Sequence, residues 1–376
     1  MNRSGNDTVY LSVYFSDYEK GYQNVGSGVD GKIWVTKNGS GTGTWDNGSA
    51  NQTSSDGYLR IWFDPGCSPF YYVGPQNWKG GIELDQCYEN LGGNSTPYAM
   101  TIYGDFNSTI DTPQYGNTST VGDMLYNRYN ISDDCGDLVN QTTTMISFGS
   151  PSDDWEAYSP NDEGDGFYNY DWDTSFHQGG WYDVMINMSK QYYNDNTSLW
   201  EDWFYLENTP PTISDVNVTP SEGSWGGVFE YSVNIWDNQQ DNVTCELYVS
   251  TDDGASYYLK NSTTVWGGQD WCNLTVGDAI DGTEFNCSDI GTDNLFHFRI
   301  YDGTNTNYTN NITGPNLTTD SVEIYYNFGN GSVIDRDDSS SNNSATYIVF
   351  INDTVRVGPV QSGTQVTFWT TYNNSV

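Results

Sequence analysis

Hydrophobic and polar residues alternate with a period of two along much of this chain. Val9, Leu11, Val13 and Phe15 share one face of residues 8–15, and Phe229, Tyr231, Val233 and Ile235 share one face of residues 228–236. The same rhythm returns in Cys245, Leu247 and Val249, and again in Phe296, Phe298 and Ile300. A half-buried strand needs this pattern, because its successive side chains point to opposite faces. Turn signals such as Asp252-Asp253-Gly254, Asp281-Gly282 and Asp302-Gly303 punctuate the runs. No amphipathic helical stretch of convincing length interrupts them. The pattern predicts an all-β chain.

Asn208-Thr209-Pro210-Pro211 marks the clearest boundary, since two prolines cannot continue a central strand and stiffen a linker. From residue 209 to 326 there are roughly seven strand candidates, the size of an immunoglobulin-like sandwich. Upstream, Trp181, Val184, Ile186 and Met188, followed by Trp203, Phe204 and Tyr205, read as the last strands of a preceding domain. The first 208 residues exceed one such sandwich, and a break near residue 112 would divide them into 1–112 and 113–208. Residues 327–376 hold strand candidates at Ala345–Ile351, Thr354–Val357 and Thr364–Thr371, about half a sandwich. Either a longer parent continues the domain, or a neighbouring subunit completes the sheet by strand addition. The expected architecture is a tandem of β-sandwiches closing on a partial β domain or strand-exchange segment.

Composition narrows the function. The 376 residues carry 12 Lys+Arg against 50 Asp+Glu, a formal net charge of -38, which excludes a nucleic-acid partner. Aromatics make up 16% of the chain, too many for a disordered acidic tail. The acids are 38 Asp and 12 Glu, and 40 Gly accompany them, a balance that favours turns and strands over helices. Such an acid excess fits a halophile's surface, bound divalent cations, or both. The longest apolar runs, such as Tyr347–Ile351, are far below a bilayer span, so no direct membrane span is expected. Met1 opens onto Asn2-Arg3-Ser4-Gly5 with no leader pattern, which suggests a removed leader or an interior piece of a longer chain.

The sharpest signal is Asn-x-Ser/Thr. There are 24 such sequons, against roughly 8 expected by chance from 40 Asn and 74 Ser+Thr. They begin at Asn2, Asn6, Asn38, Asn47, Asn51, Asn94, Asn107, Asn117, Asn130, Asn140, Asn187 and Asn196. The rest begin at Asn217, Asn242, Asn261, Asn273, Asn286, Asn307, Asn311, Asn316, Asn330, Asn342, Asn352 and Asn373. Their excess predicts an extracellular chain carrying N-linked glycans, which need a translocated, exposed asparagine. Six cysteines, Cys67, Cys87, Cys135, Cys245, Cys272 and Cys287, form no CxxC metal pattern and read as disulfides. Spacing favours a local Cys67–Cys87 bridge, and a core bridge from Cys245 to Cys272 or Cys287. One odd cysteine then remains in each half, for a bridge between domains or to another subunit.

Candidate chemistry is sparse. Asn161, Glu163 and Asp165 alternate ahead of Gly166, with Asp171 and Asp173 following, the oxygen-ligand spacing of a Ca²⁺ loop. Trp172 stands where a complete loop has its bidentate Glu, and a solvated acidic loop is the ordinary alternative. Asp252-Asp253 and Asp335-Arg336-Asp337-Asp338 are weaker candidates. No nucleophile elbow, His-Glu-x-x-His or phosphate loop occurs, so no enzyme is expected. His177 and His297 read as structural. Trp34, Trp45, Trp78, Trp266 and Trp271 lie in loop-like sequence, where they either fill cores and interfaces or stack on sugars.

Three stretches carry a resemblance: residues 210–220 (PPTISDVNVTP), 227–237 (GVFEYSVNIWD) and 248–254 (YVSTDDG). Together they resemble the tandem immunoglobulin-like domains of archaeal cell-surface proteins, which include S-layer proteins and filament subunits such as the hamus. The likeness covers residues 209–326, and the remainder only in composition and rhythm. It implies a repeated, glycosylated structural module at a cell surface, whose partner is another copy of itself in a homopolymer. The alternative is a secreted adhesin or carbohydrate-binding protein presenting exposed Trp and Tyr.

Overall fold

Alternating apolar residues pair into sheets throughout the computed structural model, which describes residues 1–5, 7–91, 95–151, 153–277, 283–329, 331–332, 345–355, 358–360 and 363–369. Among them the one helical element is a single 3₁₀ turn, Cys287–Asp289. The protein is all-β. It divides into two compact units, Met1–Glu207 and Asn208–Val376, at the Thr209-Pro210-Pro211 stretch.

The first unit contains two cores. The first is built from β1 (Val9–Tyr14), β2 (Asp30–Val35), β3 (Ser49–Gln52), β4 (Tyr58–Phe63), β5 (Gly74–Ile82) and β6 (Tyr98–Ile102). β1 pairs antiparallel with β4, placing Leu11 opposite Ile61 and Val13 opposite Leu59. A second sheet, in the order β3-β2-β5-β6, adds Ile33, Val35 and Ile102 to the same core. Gly80 permits the close approach of β5, since a Cβ there would stand 2.7 Å from a methyl of Val13.

The second core uses β7 (Phe106–Thr112), β8 (Asn117–Thr120), β9 (Met124–Asp133), β10 (Thr143–Ser150) and β11 (Asp153–Tyr158). It is completed by β12 (Asn161–Gly164), β13 (Phe167–Asp173), β14 (Gly180–Ser189) and β15 (Asn196–Glu207). One sheet runs β8-β15-β14-β10-β11 and the other β12-β13-β9-β7. Rings fill the space between them: Phe148 stacks on Trp172 at 4.4 Å and Tyr182 on Phe204 at 5.7 Å. The change of core falls between Ile102 and Phe106 rather than near residue 112, because β7 pairs with β9 and buries Phe106 and Ile110 here. Along β14, Tyr182, Val184, Ile186 and Met188 alternate inward without a break, which leaves Trp181 on the exposed face.

Arg3 ties the two cores together. It is buried, its guanidinium bonds Asp133 at 2.5 Å and Asp134 at 2.9 Å, and it also donates to the Tyr71 carbonyl. Beside it Cys67 is bridged to Cys135, 68 positions away. The expected Cys67–Cys87 pair does not form. Sequence spacing suggested it, but the turn after β9 brings Cys135 against the β4–β5 connection, while Asp85 accepts from the Cys87 amide in an exposed turn.

The second unit is a sandwich of β16 (Thr212–Thr219), β17 (Phe229–Trp236), β18 (Asn242–Ser250), β19 (Tyr258–Trp266), β20 (Asp270–Val276), β21 (Leu295–Tyr301) and β22 (Thr306–Tyr308). Three strands, β16-β17-β20, face a five-stranded sheet that runs β19-β18-β21-β22 and adds Ile312–Thr313 against β21, in an immunoglobulin-like arrangement. Phe229, Tyr231, Val233 and Ile235 are fully buried against Val243, Leu247, Phe296, Phe298 and Ile300. Cys245 on β18 bridges Cys272 on β20, crossing the core from one sheet to the other. A last sheet follows, of β23 (Val322–Phe328), β24 (Ile348–Asp353) and β25 (Gly358–Pro359). The expected division at 326/327 therefore cuts through β23. Residues 354–355 and 364–369 carry no strand, contrary to expectation, and 356–357 and 370–371 lie outside the described residues.

Cys87 and Cys287 are exposed and unbridged. Alkylation of the native chain should label these two cysteines and spare the other four, as peptide mass spectrometry can check. Replacing Cys245 and Cys272 by Ala opens a link across 27 positions, and urea unfolding should register a loss of about 3–4 kcal/mol.

Candidate functional site

The acidic stretch proposed as a Ca²⁺ loop folds as a β-hairpin. Asn161 pairs with Asn169 and Asp162 with Tyr168, and the turn passes through Gly164, Asp165 and Gly166, all at positive φ. Gly166 is required by contact as well, since a Cβ would stand 2.9 Å from Leu138 and 3.0 Å from the Ile131 carbonyl. Along β13, Tyr168 and Trp172 are buried while Asp171 and Asp173 are exposed. Arg128 on β9 reaches this outer face, 3.0 Å from Glu163, and also pairs with Asp111. Bonds from Asn169 and then Arg128 hold Glu163 below the usual carboxylate range. Asp173 accepts from the Ser175 amide, and Asp165 lies at the exposed tip.

The five expected ligands therefore spread along two strands and a turn, with a guanidinium among them. Among the described residues, the one three-member group of His, Cys, Asp or Glu close enough to share an ion is Cys67, Asp134 and Cys135, whose sulfurs are bonded to each other. Asp252 binds the Ser250 hydroxyl and the Ser256 amide across a turn. Asp335, Asp337 and Asp338 lie outside the described residues.

The sequons behave as a class. Nineteen of the 24 starting asparagines are described; Asn6, Asn94, Asn330, Asn342 and Asn373 are not. Twelve of the nineteen are exposed, seven are partly exposed, and none is buried. The two buried asparagines, Asn127 at 2% exposure and Asn294 at 1%, both lie outside sequons.

Four sequon asparagines share a second geometry. In Asn51, Asn196, Asn261 and Asn307 the side-chain oxygen accepts from the next residue's amide. The side-chain nitrogen of each donates to a main-chain carbonyl on the opposite side of its sandwich. Asn51 reaches Arg60 at 2.6 Å, Asn196 reaches Phe106 at 2.8 Å, Asn261 reaches Thr275 at 2.9 Å and Asn307 reaches Pro211 at 2.8 Å. Sequence reasoning saw these residues only as modification sites.

The five proposed tryptophan platforms divide. Lys79 lies over Trp45 at 4.4 Å and near Trp34, and Trp78 stacks on Tyr98. Trp266 and Trp271 are exposed. A better-formed aromatic surface, outside the sequence expectations, lies on β1 and β4: Tyr10 is 4.6 Å from Trp62 and Tyr14 5.0 Å from Tyr58, all on the outer face. The alternation that placed Leu11, Val13, Leu59 and Ile61 inside would have revealed it. His177 bonds Asp153 at 2.7 Å beneath Trp172, and His297 stacks on Tyr248.

No protein-family model matches the chain, and no curated protein does. Among solved structures it is similar to the tetra-tandem repeat in the extending region of a large adhesion protein. Identity there is 14% and the TM-score 0.46, covering 87% of this chain and 76% of that one. It is also similar to invasin, a bacterial integrin-binding protein, at 11% identity and TM-score 0.38, covering 86% and 59%. The FN1-FN3 domains of chicken CNTN1 follow at 12% and 0.28, covering 84% and 97%. Likenesses this distant do not say what the chain binds.

The second unit holds a buried acid. Asp237, in the β17–β18 loop, has no solvent exposure, and its Oδ1 accepts from the amides of Gln239 and Asp241. Burial, then the nearby Asp241 and Asp302, push its pKa from 3.8 up to about 6. The folded chain thus keeps a proton that the unfolded chain releases, so this group's contribution is greatest below about pH 4 and is lost as pH rises through about 6. Asp237→Asn retains both hydrogen bonds through Oδ1. It should stabilise the chain by about 2 kcal/mol at pH 7 and flatten that slope, as urea unfolding at several pH values can test.

Proposed function

We propose that this chain is an N-glycosylated structural protein of the cell exterior. Its tandem sandwiches assemble with copies of themselves into a surface layer or filament of the archaeal kind that its sequence resembles. The observation that carries this reading is the placement of the sequons: every described one lies at the surface, and the buried asparagines lie outside them. Two bridged cysteine pairs suit an oxidising exterior. Self-assembly draws support from β23, in which all seven residues are exposed, Ile324, Tyr325, Tyr326 and Phe328 among them. An apolar strand pair of this kind calls for a covering partner, and a second copy of the sheet supplies one. Ca²⁺ enters the proposal as a counter-ion between acidic copies, and catalysis has no part in it.

Electron microscopy of the native glycosylated protein, with and without EDTA, tests this function. Ordered sheets or fibres are expected, thinning or dispersing when EDTA removes the cations. Tyr326→Lys with Phe328→Lys should reduce assembly while leaving the core-buried strands folded. Dispersed monomers under all conditions, together with capture of a defined glycan, would replace this reading with the adhesin.

A further inference from the structure

We infer that the outer face of β1 and β4 is a shelf for the chain's own sugar, the N-glycan carried by Asn51. The inference rests on the glycoprotein reading above and assigns one sequon a specific binding surface. Four rings form the shelf: Tyr10 and Trp62 at one end, Tyr14 and Tyr58 at the other. The two pairs stand four residues apart along each strand, about 13 Å, room for the first few sugar units. Trp62 is 70% exposed among the described residues.

Polar groups stand between the ring pairs. Arg60 and Ser12 face each other across the strands. The Arg60 guanidinium bonds Asp56 and Ser54 and lies 4.6 Å over the Tyr58 ring, so its direction is fixed. Rings that meet the C–H faces of sugars, beside donors and acceptors that meet the hydroxyls, are what a pyranose requires. The chain's net charge of -38 disfavours a polyanion as occupant.

The position of the attachment atom decides which sugar. Asn51 Nδ2 lies 2.6 Å from the Arg60 carbonyl, at the edge of the strand that bears Tyr58, Arg60 and Trp62. Attachment forms the Nδ2–C1 bond, breaks the anomeric C–O bond of an activated glycosyl phosphate donor, and releases one amide proton with the phosphate. One N–H remains on Nδ2, enough for the bond to Arg60. A glycan starting there begins beside the shelf. The sequon's Thr53 is buried, bonded to the Gly26 carbonyl and the Val29 amide, so the sugar is added before β3 docks.

Hydroxyl-radical footprinting of the full glycosylated chain, read by peptide mass spectrometry, tests the shelf. The comparison samples are Asn51→Gln from the same host and the wild-type chain made without glycosylation. Trp62 and Tyr10 should be oxidised several-fold less in the glycosylated wild type than in either comparison, with Trp266 and Trp271 unchanged between the wild type and Asn51→Gln. Sugar present at Asn51 with unchanged Trp62 oxidation overturns the shelf and leaves the glycoprotein reading intact. Sugar at other sequons but never at Asn51 has the same consequence. An absence of sugar at all sequons overturns both. Protection of Trp62 in the sugar-free chain by free oligosaccharide would reassign the face to an external ligand.

Discussion

Excess negative charge is the condition to which the arrangement of this chain answers. With 50 acids and 12 bases, like-charge repulsion opposes every close approach of two sheets, and each cation matters by where it stands. Six of the ten described cations form ion pairs with acids. The two that bind two acids apiece occupy joints. Arg3 bonds Asp133 and Asp134 where the first unit's two cores meet, and Arg128 links Asp111 on β7 to Glu163 on β12. Removing the buried Arg3 would leave two carboxylates facing each other out of water, far costlier than losing an exposed pair such as Arg60 with Asp56.

Strand identity was legible from alternation because burial on one face imposes it. Phe229, Tyr231, Val233 and Ile235 are all fully buried, as their spacing predicts. Legibility stopped where a local rule met a non-local one. Cys67 was matched to its nearest neighbour in sequence, whereas its partner arrives from another sandwich. The acidic stretch carried ligand spacing, but spacing along a chain becomes a cage only if the loop closes. Positive φ at Gly164, Asp165 and Gly166 and the pairing of Asn161 with Asn169 close it as a hairpin instead. The aromatic outer face of β1 and β4 lies in the same alternation as the core, on the residues between the inward ones.

The four amide clamps give the sequons a role apart from any sugar. β3, β19 and β22 are outermost strands of their sheets, and Asn196 lies on β15 beyond the reach of β8. At such edges the main chain has no neighbour on one side, and a side-chain amide can lace it to the facing sheet. In the proposed glycoprotein, sugars at these positions would also keep a foreign strand from adding to the open edge, leaving the last sheet as the available one.

The Cys67–Cys135 bridge has a consequence under mechanical load. It encloses the chain from β5 through β9, drawing on both sandwiches of the first unit. A force applied at the ends of that unit passes through the sulfur–sulfur bond and bypasses the enclosed segment. Those 68 positions would otherwise pay out about 230 Å of extended chain. Reduction would therefore convert a short, stiff tether into a long, compliant one, without changing a single residue of either core.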